Sequence, residues 1–172
     1  IRSSTRQANI RITTGATTNG TWSPELGTGT SYVFTPSANS VTINVADITS
    51  RLNSSYSNVT ILTACNTCTQ NGIVTIGTAI NADANGNNAR LFKIQAASDI
   101  NVSNAISLAN SVNNNYYTTH SLELNSTNGN INLLATVRTQ PYSTNNAVGT
   151  AYYSGSITLS AVNGTISSTV AG

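Results

Sequence analysis

Cys65 and Cys68, in the run Cys-Asn-Thr-Cys, are the two cysteines of this 172-residue chain and its clearest reactive pair. A redox dithiol of this spacing needs a helix N-terminus to stabilise a thiolate, but the flanking residues read as strands and a Gln-Asn-Gly turn. Zinc needs a full set of ligands, and His120 is the single histidine. Covalent haem requires a histidine directly after the second cysteine, where Thr69 stands. The spacing predicts a local disulfide between Cys65 and Cys68 that pins the loop from 63 to 72, with two free buried thiols as the alternative. No metal or cofactor is expected.

Acid and base chemistry finds no constellation either. Glu25, Asp47, Asp83, Asp99 and Glu123 are scattered singly, and no spacing brings two carboxylates together. His120 precedes Ser121 without a positioned acid, so it reads as structural or solvated. Lys93 could form an isopeptide bond with an asparagine, but beside Phe92 and Ile94 it reads as pointing outward from a strand. The expectation is a protein that is not an enzyme. The sequons at Asn19, Asn53, Asn58, Asn101, Asn125 and Asn163 are what a chain rich in Asn, Ser and Thr produces by chance.

Two groups of residues could instead make contacts. Tyr116 and Tyr117 sit in an excursion from Ala109 to Thr119, and Tyr142, Tyr152 and Tyr153 in another from Gln140 to Gly155. Tyrosine combines apolar area with a hydroxyl, so these loops read as contact surfaces for sugars or for neighbouring subunits, or as caps packed over the fold. In residues 1–14, Ala8, Ile10 and Ile12 alternate with Asn9, Arg11 and Thr13, and Arg2, Arg6 and Arg11 are three of the seven basic residues. Such an arm could add a strand to a neighbouring subunit, or cap its own domain.

The elements that must carry these residues come from a repeat. Val74-Thr-Ile-Gly-Thr-Ala-Ile80, Ile100-Asn-Val-Ser-Asn-Ala-Ile106 and Ile131-Asn-Leu-Leu-Ala-Thr-Val137 share one apolar pattern, and a shorter copy begins at Ile166. Starts 26, 31 and 35 residues apart mark a solenoid with one supersecondary unit per repeat. Leaders such as Leu124-Asn-Ser-Thr-Asn-Gly-Asn-Ile131 and Leu159-Ser-Ala-Val-Asn-Gly-Thr-Ile166 predict sharp corners at Asn-Gly, where both residues tolerate a left-handed backbone. Like residues then stack in successive coils, with Ile76, Val102 and Leu133 in the interior. The fold class expected is all-β: a short parallel β-helix with an extended N-terminal strand, a pilin-like β-sandwich being the alternative. A brief helical turn is expected after Val45, with Ile48 and Leu52 four apart. The boundaries read as an arm at 1–14, a turn-rich capping segment at 15–40 and a solenoid domain at 41–172.

Composition sets the class. Charged residues are 7% and hydrophobic residues 38%, so the exterior is polar but uncharged. Repeated apolar triplets argue against disorder. A net charge of +2 without a basic stripe argues against nucleic acid as a partner. Apolar runs fall far short of the roughly 20 residues of a membrane-spanning helix, and no barrel girdle appears, so membrane insertion is not expected. Methionine is absent and the numbering starts at Ile1. The expectation is a chain that begins after removal of a secretion signal, with trimming as the alternative.

Segments such as Val59-Thr-Ile-Leu62, Asp99-Ile-Asn-Val102 and Gly129-Asn-Ile-Asn-Leu133 resemble the repeats of bacterial filamentous-haemagglutinin-like adhesins, over residues 41–166. The resemblance implies a right-handed parallel β-helix, secreted or displayed at the cell surface, without enzymatic activity. A short solenoid exposes unpaired strands at its ends, and a head-to-tail contact that fails to close makes a filament. The functional expectation is a homopolymeric subunit of an extracellular bacterial filament or pilus-like fibre, with Ala8, Ile10 and Ile12 as the polymerisation arm. The alternative is a monomeric surface adhesin fragment that binds glycan through the tyrosine-rich loops.

Overall fold

The computed structural model describes residues 6–25, 31–53, 57–83, 89–108, 116–139 and 151–170. After β1 (Ile10–Thr13) and β2 (Gly20–Pro24), the chain winds coil upon coil. The coils are β3 (Ser31–Pro36), β4 (Val41–Asn44) and α1 (Val45–Asn53), then β5 (Asn58–Leu62), β6 (Val74–Ile76) and β7 (Ile80–Asn81). Next come β8 (Leu91–Ala96), β9 (Ile100–Val102) and β10 (Ile106–Ser107). The following coil is β11 (Tyr116–Thr118), β12 (Ser121–Ser126), β13 (Ile131–Leu133) and β14 (Val137–Arg138), and the last holds β15 (Ala151–Tyr153), β16 (Ile157–Ala161) and β17 (Ile166–Ser168).

Two long faces result, with strand orders β17-β13-β9-β6-β1-β4 and β16-β12-β8-β5-β3-β2, and a short third face, β14-β10-β7. Coil pairs on each face are parallel, as in β6 with β9 and β8 with β12. The exception is the antiparallel hairpin of β2 and β3. The result is a parallel β-helix of about four turns rather than a sandwich.

Strict alternation explains the interior. Val41, Ile10, Val74, Ile100 and Ile131 are register partners in one buried column. Ile76, Val102 and Leu133 stack beside it as the repeat predicts, with Ile43 and Ile12 extending the column. Phe34, Ile61, Ile94 and Leu124 form the matching column on the other long face, all fully buried. Each such side chain contributes about 1.5–3 kcal/mol over its exposed state, and a one-residue slip would forfeit a whole column. Outward positions are mostly polar, and Lys93 lies 2.9 Å from Glu123 on the neighbouring strand. The hydrogen bond from the ammonium holds that carboxyl below its ordinary range.

The corners work differently from the sequence expectation. Neither Gly129 nor Gly164 has a left-handed backbone; what excludes a side chain is stacking. A Cβ on Gly164 would meet the Gly129 carbonyl oxygen at 2.1 Å, and one on Gly129 would meet the Asp99 amide nitrogen at 2.5 Å. Oxygens of stacked side chains also receive amides from the next coil: Asn130 donates to Asp99 Oδ1 at 2.7 Å and Thr165 to Asn130 Oδ1 at 2.9 Å. Gly72, in the Asn71-Gly72 corner, does adopt a positive φ of 81°.

The N-terminal residues overturn two expectations. The segment with Ala8, Ile10 and Ile12 is not a free arm, because β1 lies between β4 and β6, parallel to both, and all three side chains are buried. Backbone bonds fix it on both sides: Ile10 donates to Ile73 O at 2.8 Å and accepts no slack at its other edge, where Val41 donates to Asn9 O at 2.8 Å. A strand with two satisfied edges and a buried face has nothing left to donate to a neighbour. Domain boundaries shift accordingly. The solenoid does not start at 41, since β3 already pairs in parallel with β5, and β1 belongs to its sheet. One extra strand in one face widens it by about 4.8 Å. The connection from β5 to β6 is correspondingly long and wraps Gln7, which bridges both Ala64 and Gln70.

Candidate assembly surface

The two ends of the solenoid differ in what covers their interior columns. At the C-terminal end nothing among the described residues stacks on β16 and β17. Ile166 is 48% exposed, although its register partner Ile131 is 0% exposed; Ile157 is 43% exposed against 0% for its partner Leu122. Val162 and Val170 add apolar surface at the same end. All three residues of β17 are exposed. This end combines uncovered apolar columns with the free backbone edges of two parallel sheets, a template for further strands.

The N-terminal end is closed by three devices. Helix α1 takes the place of a third-face strand in the first coil and buries Ile48 and Leu52. Asn44 Oδ1 accepts the Ala46 amide at 2.8 Å and so caps the helix. Trp22 meets Phe34 edge-on with ring centroids 5.1 Å apart, and the Arg51 guanidinium lies 4.3 Å above the Trp22 ring and 5.2 Å from Tyr32. Burial lowers the Arg51 pKa from its ordinary value, an effect that Asp47 opposes. Thr18 donates to Thr42 O at 2.9 Å and shields the outer edge of β4, while Thr17 bonds both Asp47 and the Asn44 amide. Beyond its pairing with β3, β2 has no second neighbouring strand among the described residues, so it is the edge of its sheet at this end.

Cys65 and Cys68 are disulfide-bonded with Cα atoms 5.5 Å apart, and both are nearly fully buried. Cys65 donates its amide to Arg6 O at 3.0 Å, so the bridge stiffens the loop that holds the segment before β1. Within the tyrosine excursions the described strands β11 and β15 pair in parallel, with Tyr117 opposite Tyr152 and Tyr116 opposite Ala151. Tyr142 lies outside the described residues, as do the side chains of Tyr116, Tyr117, Tyr152 and Tyr153. Among the described residues no group of three or more His, Cys, Asp or Glu side chains is placed to hold a metal ion, and no helix is long and apolar enough to cross a membrane.

Two participants are not legible in the sequence, and His120, which reads there as structural or solvated, takes the structural place. Arg51 is a helix residue whose partners Trp22 and Tyr32 reach it only through the hairpin. Arg11, in the segment that reads as an arm that adds to a neighbour or caps its own domain, lies on β1 between Thr42 and Thr75. His120 is fully buried, with Nδ1 accepting the Arg90 amide at 3.0 Å and Nε2 3.4 Å from Asn53 Oδ1. Burial first, and then the Arg90 charge, push its pKa down to about 4, so it is neutral near pH 7.

No protein-family model matches the chain, and no curated protein or solved structure matches it.

Proposed function

We propose that this chain is a non-catalytic structural subunit of an extracellular bacterial filament, built head to tail by strand addition at the open C-terminal end. The observation that carries the reading is the exposure of Ile157 and Ile166 at the end of columns that are otherwise buried. The face that ends in β16 at one end of the molecule ends in β2 at the other. Joining β16 of one copy to β2 of the next would continue that sheet across the junction, and a contact between different patches propagates rather than closes. The Cys65–Cys68 bridge supports an oxidising, extracellular setting. The N-terminal arm has no part in this assembly, since its apolar residues already serve their own core.

Negative-stain microscopy of the purified chain tests the proposal. Fibres one solenoid wide are expected, and Ile157→Lys combined with Ile166→Lys should leave folded monomers. Fibres that form equally well from the double variant, or a wild-type chain that stays monomeric at high concentration, would overturn it. A second reading, a monomeric adhesin that binds glycan, is favoured by the pairing of β11 with β15, which brings the two tyrosine excursions together. Glycan-array binding that is lost on substituting Tyr117 and Tyr152 would favour it.

A further inference from the structure

The outward row of the long face containing β1 runs Thr42, Arg11, Thr75, Asn101, Asn132 and Ser167 across successive strands. Its two halves are satisfied differently. At the C-terminal half the side chains bond one another, Asn132 Nδ2 to Asn101 Oδ1 at 2.8 Å and Ser167 Oγ to Asn132 Oδ1 at 3.1 Å. At the other half, the side chains of Thr42, Arg11 and Thr75 have no hydrogen-bond partner among the described residues. These three, with Asn101, line an open groove of about 550 Å³. Ser40 and Gln70 form one wall, and Gln70 is fixed there because its Oε1 accepts the amides of both Asn9 and Ser40.

Arg11 gives the groove its charge. Its side chain is exposed and has no salt-bridge partner among the described residues. It lies along the sheet beside Gly77, where a Cβ would come within 3.0 Å of Arg11 Nε. The missing side chain at 77 therefore makes room for the guanidinium. Asp99, the carboxylate at the adjoining corner, is engaged by the Asn130 amide.

We propose that this groove binds an acidic oligosaccharide. Hydrogen-bonding side chains repeated at the strand spacing of about 4.8 Å suit an extended ligand with repeated hydroxyls. A lone guanidinium among them calls for an anionic substituent, which it can hold by a paired, charge-assisted contact. Among the described residues the lining holds no aromatic side chain, so nucleic-acid bases find no stacking platform. The groove lies on a sheet face rather than an edge, so a peptide strand finds no backbone to pair with. This site is separate from the open end and from the tyrosine excursions, and stands or falls independently of the filament.

Calorimetric titration of the full chain distinguishes the sources of the anionic group, with an oligogalacturonate supplying carboxylates, a heparin-derived oligosaccharide supplying sulfates, and a cello-oligosaccharide as the neutral control. At least one acidic probe should bind, more weakly as salt rises, and the neutral probe should bind far less. Arg11→Gln should weaken the acidic probe at least about tenfold without lowering Tm, because the side chain is exposed. Thr75→Val, which keeps the strand-favouring shape, should weaken it several-fold and carries the test if Arg11→Gln folds poorly. No binding of either acidic probe at millimolar concentration overturns the proposal. So does affinity that is unchanged in a folded Arg11→Gln or Thr75→Val variant.

Discussion

Ile10 and Ile166 occupy the same column of the same sheet, yet one is buried and the other is almost half exposed. The difference lies not in the residue but in its neighbours. Ile10 has β4 on one side and β6 on the other, and beyond β4 a helix and a hairpin close the end. Among the described residues, Ile166 has β13 on one side only. In a solenoid each coil covers the next, so stability depends on having both neighbours. Among the described residues, the N-terminal columns are covered on both sides and the C-terminal ones on one side alone.

The comparison breaks most sharply at β1. Deleting residues 1–13 should abolish cooperative unfolding altogether, because the deletion removes an interior strand, takes from β4 its strand neighbour and leaves β6 with β9 alone. If the truncated chain kept a near-native Tm in thermal denaturation, the interior placement of β1 would be wrong. A milder form compares the two ends of one column. Ile10→Ala should cost about 2–5 kcal/mol by chemical denaturation, as for other buried isoleucines, while Ile166→Ala in the monomer should cost well under that.

Next in size is the contribution of His120. Its folded pKa of about 4 lies below its ordinary 6.5, so the unfolded chain takes up a proton that the folded chain refuses. The contribution is complete above the ordinary value and is lost as pH falls from there towards 4. Between pH 7 and pH 5 the loss should be about 2 kcal/mol, read as a falling Tm. His120→Gln should flatten that slope, and an unchanged slope would mean that His120 titrates normally.

Reducing the Cys65–Cys68 bridge should have an effect of similar or smaller size. The loop is short, so the entropic gain from closing it is about 2 kcal/mol. Since this loop carries the contacts to Arg6 and Gln7, reduction should loosen the segment before β1 and leave the C-terminal coils intact. Limited proteolysis with and without reductant would localise the change. New cleavage confined to the C-terminal coils would contradict the assignment. The smallest effect belongs to the Lys93–Glu123 pair on a polar face, where Lys93→Ala should cost no more than about 1 kcal/mol.

Much of this architecture was legible in the sequence because stacking makes like residues lie above like. The apolar triplets beginning at Val74, Ile100 and Ile131 fixed the columns, and Ile48 with Leu52 marked the helix. The place of β1 was not legible. Ala8, Ile10 and Ile12 specify a strand with one buried face but do not say which two strands flank it, and its neighbours come from residues around 42 and 75. The hairpin was hidden for a related reason: the Trp22, Phe34 and Arg51 contacts join segments with no shared periodicity. The corner glycines carried an ambiguous signal, since a left-handed turn and a tight stack both exclude a side chain. The groove on the outer face is not legible either, because residues 1–14 do not say that Arg11 lies between Thr42 and Thr75.

The most direct test of the open end is amide hydrogen exchange in β16 and β17 as protein concentration rises. Strand addition by a second copy predicts that these amides are poorly protected in dilute monomer and become as protected as those of β12 and β13 once copies associate, while α1 changes little. If β16 and β17 exchange at the same rate at every concentration, including one at which the chain self-associates, the C-terminal end is not the assembly surface.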